Sequence, residues 1–589
     1  MEKITVAKAI GRLLKKMGTE RYYFYNGHAN WGLLDAFEYD AKIQGIRVRH
    51  ENHAIHMADG DWRMRREYPL PVTCTTTGPG NYNTVAALAE AYFDSSAMLC
   101  LMAGGPTKWY ERGGIQELYR RGPEQFCRIL EPITKKIVHI MRPDTCLYQV
   151  LLGYKEAMTG RPGPVVIYLP MDIINTEIEC DIPDPLPWVN VLPPAPNPEG
   201  IAKAIQLIRD SERPFCFVST GISNAKAWKE LRDFAETLQI PVAASIGSKG
   251  AIPENHPMSV GVCDRAGTGH AVYAATNCDL LIGIGTHFND LNTAGWSFYK
   301  IPEKQRLIHI DIDLSELGRI YPSDVLLHAD AKVALQALLD AWKKSGFKRK
   351  NPQPWLKQIA EEKKDWEIKV KNPMAGSNLT PMHYARIVAD TSEVVNGFDP
   401  ETAFFFDTGM VMNYMSAFLE LNHPYFATCN QQFGQMGFAV PAMIGAKLAR
   451  PRHPVIAFSG DQSFVMNGMA LCTATEYGVP GVVVVLNNRT IQAEVEGAMA
   501  KFGRTVGDHY RIEETGELWN PDFVLIGKAL RSEVFKVNKP EEFKPALKKA
   551  LESNKLCMID VETDTTQKRY SVPLIQKLGT MPFPYKWNE

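Results

Sequence analysis

The sequence predicts an α/β fold of three doubly wound domains with mostly parallel sheets. Three observations carry that expectation. At 589 residues the chain is too long for one hydrophobic core. Short apolar runs alternate with helical patterns along its length, as in "RPFCFVST", "PVAASI", "DLLIGIG" and "RLIHIDID". Two proline-dense stretches, 180–200 and 348–381, interrupt that alternation and read as linkers. The expected domains are therefore 1–183, 195–345 and 375–565, followed by a C-terminal arm over 566–589. The first and third share a plan of strand, Gly-rich turn and helix, which suggests two similar folds around a different one.

Composition narrows the class of protein. Hydrophobic content of 45% and charged content of 22% are those of a globular protein. With 65 basic and 66 acidic residues the net charge is -1, which disfavours a nucleic-acid partner. No apolar run approaches the ~20 residues of a membrane span, and the N-terminus lacks a signal-type apolar block. The eleven cysteines form no C-x-x-C pair, so a reducing, cytoplasmic location is expected.

The elements follow in chain order. Ile4, Ala7, Ile10, Leu13 and Leu14 space one face of an N-terminal helix. "RHENHAIHMADGDWRM" puts Glu51 at the opening of a helix, and "TTTGPGNYNTVAALAEAYF" is a Gly-rich turn feeding another. In the third domain "NQQFGQMGFAVPAMIGAKLA" is a flexible turn before a small-residue helix. Then comes a strand over 455–458, a helix expected over 464–477 and a second strand over 482–486. A crossover of that length makes the two strands parallel, so Asp461 and Asn488 emerge at the same sheet edge. Ligands of open parallel sheets bind at that edge, and the intervening helix offers its N-terminal N–H groups to phosphate. One carboxylate and one amide oxygen suit Mg²⁺, which keeps waters and completes its shell with ligand phosphates.

The "HExxxxxMADG" acid, the "GPG" turn, the "GQMGF" turn and the unit running from Gly460-Asp461 to Asn487-Asn488 occur together. In that combination the chain resembles the thiamine diphosphate-dependent enzymes of the acetolactate synthase, pyruvate oxidase and benzaldehyde lyase group. The resemblance spans nearly the whole chain and implies pyrimidine-binding, central and diphosphate-binding domains in that order. It implies thiamine diphosphate held through Mg²⁺ on Asp461, Asn488 and the carbonyl of Thr490, with Gly409, Met410, Gln462 and Ser463 at the phosphates. Glu51 takes the place of the carboxylate that bonds the aminopyrimidine N1′, Gly434 offers a carbonyl to the 4′-amino group, and Met436 supports the bent cofactor. A homodimer is implied as the minimum active unit, with Glu51 and the Asp461 site meeting across subunits, and a homotetramer as the expected assembly.

Two departures from the family pattern stand out. Gln462 replaces the usual glycine after Asp461, and "NNRTIQAEVEGAMAKFGR" differs from the aromatic-rich continuation of a plain acetolactate synthase. The expected reaction is cleavage or decarboxylation of a 2-oxo acid or acyloin, followed by protonation or joining to a second carbonyl, as in a lyase or transferase. The alternatives are a cyclic 1,2-diketone hydrolase and a flavin-linked 2-oxo acid oxidase. His28, in the turn after the "RYYFY" strand, has two readings, proton transfer at the site or a loop histidine bonded to backbone. Gln116 is a candidate for the same cavity as an oxyanion-positioning amide. His50, His53 and His56 share one helix face, but ordinary imidazoles near a helix start are the expected reading. In the central domain FAD, ADP or no ligand is open: His287 stands where flavin binders carry arginine, and Asp311 and Asp313 address a ribose or merely end a strand.

Overall fold

The computed structural model describes residues 2–117, 119–122, 125–423 and 427–573. They form two compact units, one of Met1–Leu192, Gln432–Arg452 and Val465–Pro480, the other of Pro193–Gln431, His453–Phe464 and Gly481–Glu589. Among the described residues no helix is long and apolar enough to cross a membrane.

Three six-stranded sheets form the framework, and every strand pairing within them is parallel. The first runs Gln44–Arg47, Arg21–Phe24, Val72–Thr75, Met98–Gly104, Pro164–Pro170, Lys136–His139. The third runs Ala427–Cys429, Ala403–Phe406, Val455–Gly460, Gly481–Asn487, Leu556–Glu562, Glu533–Val537. Numbered within its own domain, each has the strand order 2-1-3-4-6-5. The central sheet has the order 3-2-1-4-5-6, that of dinucleotide-binding folds. Two like folds around a different one is thus the observed plan. In the 2-1-3-4-6-5 order the direction of winding reverses between the first and third strands. The crevice at that reversal opens above Phe24 and Thr75 in the first sheet, and above Phe406 and Gly460 in the third.

Local chemistry explains the elements around these crevices. The N-terminal helix spans Val6–Lys16, with Thr5 Oγ1 accepting from Lys8 N at 3.3 Å as its cap. Ile4 belongs instead to the strand Glu2–Thr5, which pairs antiparallel with Glu177–Cys180. The helix Glu51–Arg65 has no polar face: residues 51–63 are all buried. It packs on Ala439–Ala449 at very short range, because a Cβ on Gly60 would lie 1.9 Å from the Ala442 carbonyl oxygen and one on Gly445 would lie 1.8 Å from that of Met57. Only glycine permits backbones this close.

Two expectations change. The helix expected over 464–477 breaks into Asp461–Asn467, a 3-10 turn Gly468–Ala470 and Leu471–Glu476. The stretch 348–381 is largely helical, with Gln353–Trp366 burying Trp355, Ile359 and Trp366 among its charges. Its Pro354 lies in the first turn, where the missing N–H costs nothing. The 180–200 stretch holds to its reading except for one turn at Leu186–Val189 and the start of Pro198–Asp210, capped by Asn197. Of the expected C-terminal arm, Tyr570 and Val572 are buried, and Tyr570 accepts from Trp366 Nε1 at 2.8 Å; residues 574–589 lie outside the described residues.

Candidate active site

The sequence-predicted residues fall into two sets, one in each compact unit. In the first unit Glu51 opens its helix after His50, whose Nδ1 accepts from Asn52 N at 3.1 Å as the cap. Its carboxylate is buried beside the GPG turn: Oε2 accepts from Asn83 Nδ2 at 2.9 Å, while a Cβ on Gly80 would stand 3.1 Å from Oε1. Gly78 has φ +62, and Pro79 begins the short helix Pro79–Tyr82. The turn is fixed from below by Thr75 Oγ1 donating to Asn81 Oδ1 at 2.7 Å and Asn81 Nδ2 donating to Ala103 O at 3.0 Å.

Both further candidates reach this turn. The His28 loop lies on Thr76, with Ala29 N donating to Thr76 Oγ1 at 3.3 Å and Gly27 too close to Thr76 for any Cβ. His28 Nε2 is buried and has no hydrogen-bond partner among the described residues. Gln116 is exposed, at φ +72, with its Cβ and backbone against Gly78. Its neighbour Glu117 makes the polar contacts. Glu117 Oε1 accepts from Gly78 N at 3.2 Å and Oε2 from Tyr168 OH at 2.9 Å. Tyr119 and Tyr168 share a hydroxyl contact of 2.5 Å, and burial pushes the Glu117 carboxyl up against these donors.

The Gln432–Gly437 turn, which carries Gly434 (φ +74) and Met436, belongs to the same unit. It is held from the helix Val85–Phe93 and the residue that follows it: Glu90 Oε2 accepts from Gln435 N at 3.0 Å, and Asp94 Oδ1 accepts from Gln432 N at 3.2 Å. Arg63 neutralises this patch, reaching Asp59 and Asp94 while its guanidinium lies 4.7 Å from the Phe438 ring centre. Burial pushes the Glu90 carboxyl well above the usual range. Asn467 Nδ2 donates to Gly437 O at 2.9 Å, and its Oδ1 is 3.2 Å from His53 Nε2, so the turn is tied to the Glu51 helix. Burial lowers His53 to about 4 and His56 to about 3, leaving both imidazoles neutral at pH 7. No group of three or more His, Cys, Asp or Glu side chains placed to hold a metal occurs among the described residues.

The second unit holds the Asp461 set. Gly460 pairs with Leu486 in the register of the two strands, so Asp461 and Asn488 emerge side by side. Asp461 Oδ2 accepts from Asn488 N at 3.1 Å, Arg489 N at 2.5 Å and Asn520 Nδ2 at 2.8 Å, and Oδ1 from Gln462 N at 2.8 Å. Burial pushes this carboxyl up to about 6, against the pull of those four donors. Asn488 Oδ1 accepts from Thr490 N at 3.0 Å, and Asn488 Nδ2 donates to Tyr384 OH at 3.2 Å. Between them Arg489 sits at φ +59, with Nη1 and Nη2 each donating to Glu562 Oε1 at 3.0 Å. Across the crevice Gly409 has φ +84, a Cβ there would meet nothing within 4 Å, and Met410 opens the helix Met410–Phe418. Ser463 is buried in the first turn after Asp461.

These residues fit a hard divalent cation carrying a diphosphate. A buried carboxylate favours a neighbouring positive charge, the remaining donors are oxygens, and Gly409 leaves open space between two helix N-termini. In the central domain the two acids are occupied locally: Asp311 Oδ1 accepts from Asp313 N at 2.8 Å, and Asp313 Oδ1 from Ser315 N at 2.9 Å. Three residues near these sites carry no sequence signal of their own. Asn83, Glu117 and Asn520 reach them through tertiary folding.

Three doubly wound parallel sheets, two of one topology and one of another, place the chain in the class of multidomain α/β folds that bind ligands at strand-order reversals. Residues 4–122 match the thiamine pyrophosphate enzyme N-terminal TPP binding domain, 201–338 its central domain and 407–561 its C-terminal TPP binding domain. The chain belongs to the thiamine pyrophosphate enzyme family. Over 575 residues it is 34% identical to the probable acetolactate synthase large subunit of Methanocaldococcus jannaschii, covering 96% of this chain and 93% of that protein. It is 30% identical over 587 residues to the probable acetolactate synthase large subunit of Methanococcus aeolicus, covering 97% and 94%. With the acetolactate synthase large subunit of Corynebacterium glutamicum it shares 30% identity over 554 residues, covering 94% and 86%.

Proposed function

We propose that the chain is a thiamine diphosphate- and Mg²⁺-dependent carboligase or lyase acting on 2-oxo acids or acyloins, of the acetolactate synthase kind. The observation that supports it best is the pairing of buried Asp461 with Asn488 at adjoining strand ends, opposite the open Gly409 turn. Asp461, Asn488 and the Thr490 carbonyl would hold the cation. Gly409, Met410 and Ser463 would hold the phosphates through backbone N–H groups and the Ser463 hydroxyl, with Gln462 beside them, its own N already donating to Asp461 Oδ1. Glu51 would hold the proton at the aminopyrimidine N1′ with Oε1, since Oε2 already accepts from Asn83. Gly434 would accept from the 4′-amino group, and Met436 would pack against the cofactor. Bound thiamine diphosphate supplies a thiazolium carbon nucleophile and an electron sink for the substrate carbonyl. The proposed assembly is a homodimer at least, with a homotetramer expected.

The test is turnover of pyruvate or a benzoin-type acyloin by purified protein with thiamine diphosphate and Mg²⁺. Glu51→Gln is expected to lose about 100-fold or more of that rate, and an unchanged rate would refute the role of Glu51. A second reading, hydrolysis of a cyclic 1,2-diketone, draws support from His28, whose buried Nε2 lacks a partner among the described residues. Faster conversion of cyclohexane-1,2-dione than of pyruvate, lost in His28→Ala, would favour it.

A further inference from the structure

We propose that Gln462 and Asn520 form an amide relay that orients Asp461 toward the cation, so that the glutamine in the family's glycine position is a positioning residue. This rests on the cofactor reading above. Gln462 Nε2 donates to Asn520 Oδ1 at 2.9 Å. Asn520 Nδ2 donates to Asp461 Oδ2 at 2.8 Å and to Asn487 Oδ1 at 3.1 Å. Asn487 Nδ2 in turn donates to Asp560 Oδ1 at 3.2 Å. An amide nitrogen has two hydrogens, and both of Asn520's are used. Accepting from Gln462 therefore fixes which way the Asn520 amide faces.

The consequence falls on Asp461. With three donors on Oδ2, that oxygen is saturated. Among the described residues Oδ1 accepts from Gln462 N alone, and it keeps lone-pair capacity for a cation. Were the Asn520 amide reversed, its oxygen would face the carboxylate and the two would repel. By donating to the Asn520 oxygen, the Gln462 side chain favours the orientation in which the Asn520 nitrogen faces the carboxylate. It is buried, and it lies toward Asn520. Asn520 sits three residues before the helix Phe523–Ala529, at the end of the long segment that follows the second strand. The relay thereby joins that segment to the cation site across 59 residues of sequence.

The experiment uses the full-length apoprotein and four forms: wild type, Gln462→Met, Asn520→Ala and the double variant. Thiamine diphosphate binding is followed by calorimetry over a Mg²⁺ series, and apoprotein melting is recorded beside it. Partners behind a metal ligand are worth about 10–100-fold in metal affinity. Each single variant is expected to raise the Mg²⁺ requirement by that order, and the double variant by no more than either. The apoprotein melting temperature should change little in Gln462→Met, which keeps the side-chain volume and so carries the test if Asn520→Ala melts early. An unchanged Mg²⁺ requirement in Gln462→Met, or effects that multiply in the double variant, would overturn the relay while leaving the cofactor reading intact. Failure of the wild type to bind thiamine diphosphate with Mg²⁺ would overturn both.

Discussion

The contact between helices Glu51–Arg65 and Ala439–Ala449 makes the sharpest prediction. In Gly60→Ala the new Cβ would sit 1.9 Å from the Ala442 oxygen, whereas real Cβ atoms essentially never come within 3.0 Å, a shortfall of 3.0 − 1.9 = 1.1 Å. The obstruction is backbone carbonyl, so no side chain can swing aside. The helices must separate by about that distance, and Gly445 with Met57 O is as tight from the other side. Overpacking of this kind costs about 1–3 kcal/mol or more, and here it also displaces the start of the Glu51 helix and the turn before Ala439. Gly60→Ala should lower the urea midpoint and weaken thiamine diphosphate binding together. Gly397→Ala, in the last turn of its helix with nothing within 4 Å, is the control and should leave the midpoint unchanged or stabilise by up to about 1 kcal/mol. If Gly60→Ala matched wild type in both midpoint and binding, the close packing of these helices would be refuted.

Asn83→Ala should lower kcat with little effect on the melting temperature, because it removes the donor to Glu51 Oε2; steady-state kinetics beside a thermal melt checks this, and unchanged kcat would contradict it. Acid sensitivity should come from the buried histidines. His53 and His56 have folded values of about 4 and 3 against 6.5 when unfolded, so between those limits the unfolded chain binds more protons and stability falls as pH falls. At pH 5 each contributes a loss of about 2 kcal/mol relative to pH 7. Replacing His56 by Leu should remove its share of that slope in urea titrations, whatever it does to absolute stability; an unchanged slope would show the imidazole to be accessible to protons.

What was legible in the sequence is what depends on local pattern. Apolar runs of strand length flanking a helical stretch located the parallel pair 455–460 and 481–487, and with it the juxtaposition of Asp461 and Asn488. Glu51 at a helix start was legible for the same reason. The helix Gln353–Trp366 is hidden in the sequence because proline and charges dominate its composition, although Trp355, Ile359 and Trp366 supply a buried face. Tertiary partners were not legible at all. Asn83 lies 32 residues from Glu51, Asn520 lies 59 from Asp461, and Asn467 lies 414 from His53. Periodicity carries no information over such separations. Glu117 carries no such pattern either: its place at the GPG turn rests on tertiary contacts to Gly78 N and Tyr168 OH.

The central claim is that a cation held by Asp461 and Asn488 anchors the diphosphate of the cofactor. Its most direct test is calorimetric titration of the apoprotein with thiamine diphosphate, with Mg²⁺, with excess chelator and in Asp461→Ala. Saturable binding that requires Mg²⁺ and disappears in both other conditions is the predicted result. Binding that survives chelation and the loss of Asp461 would contradict it.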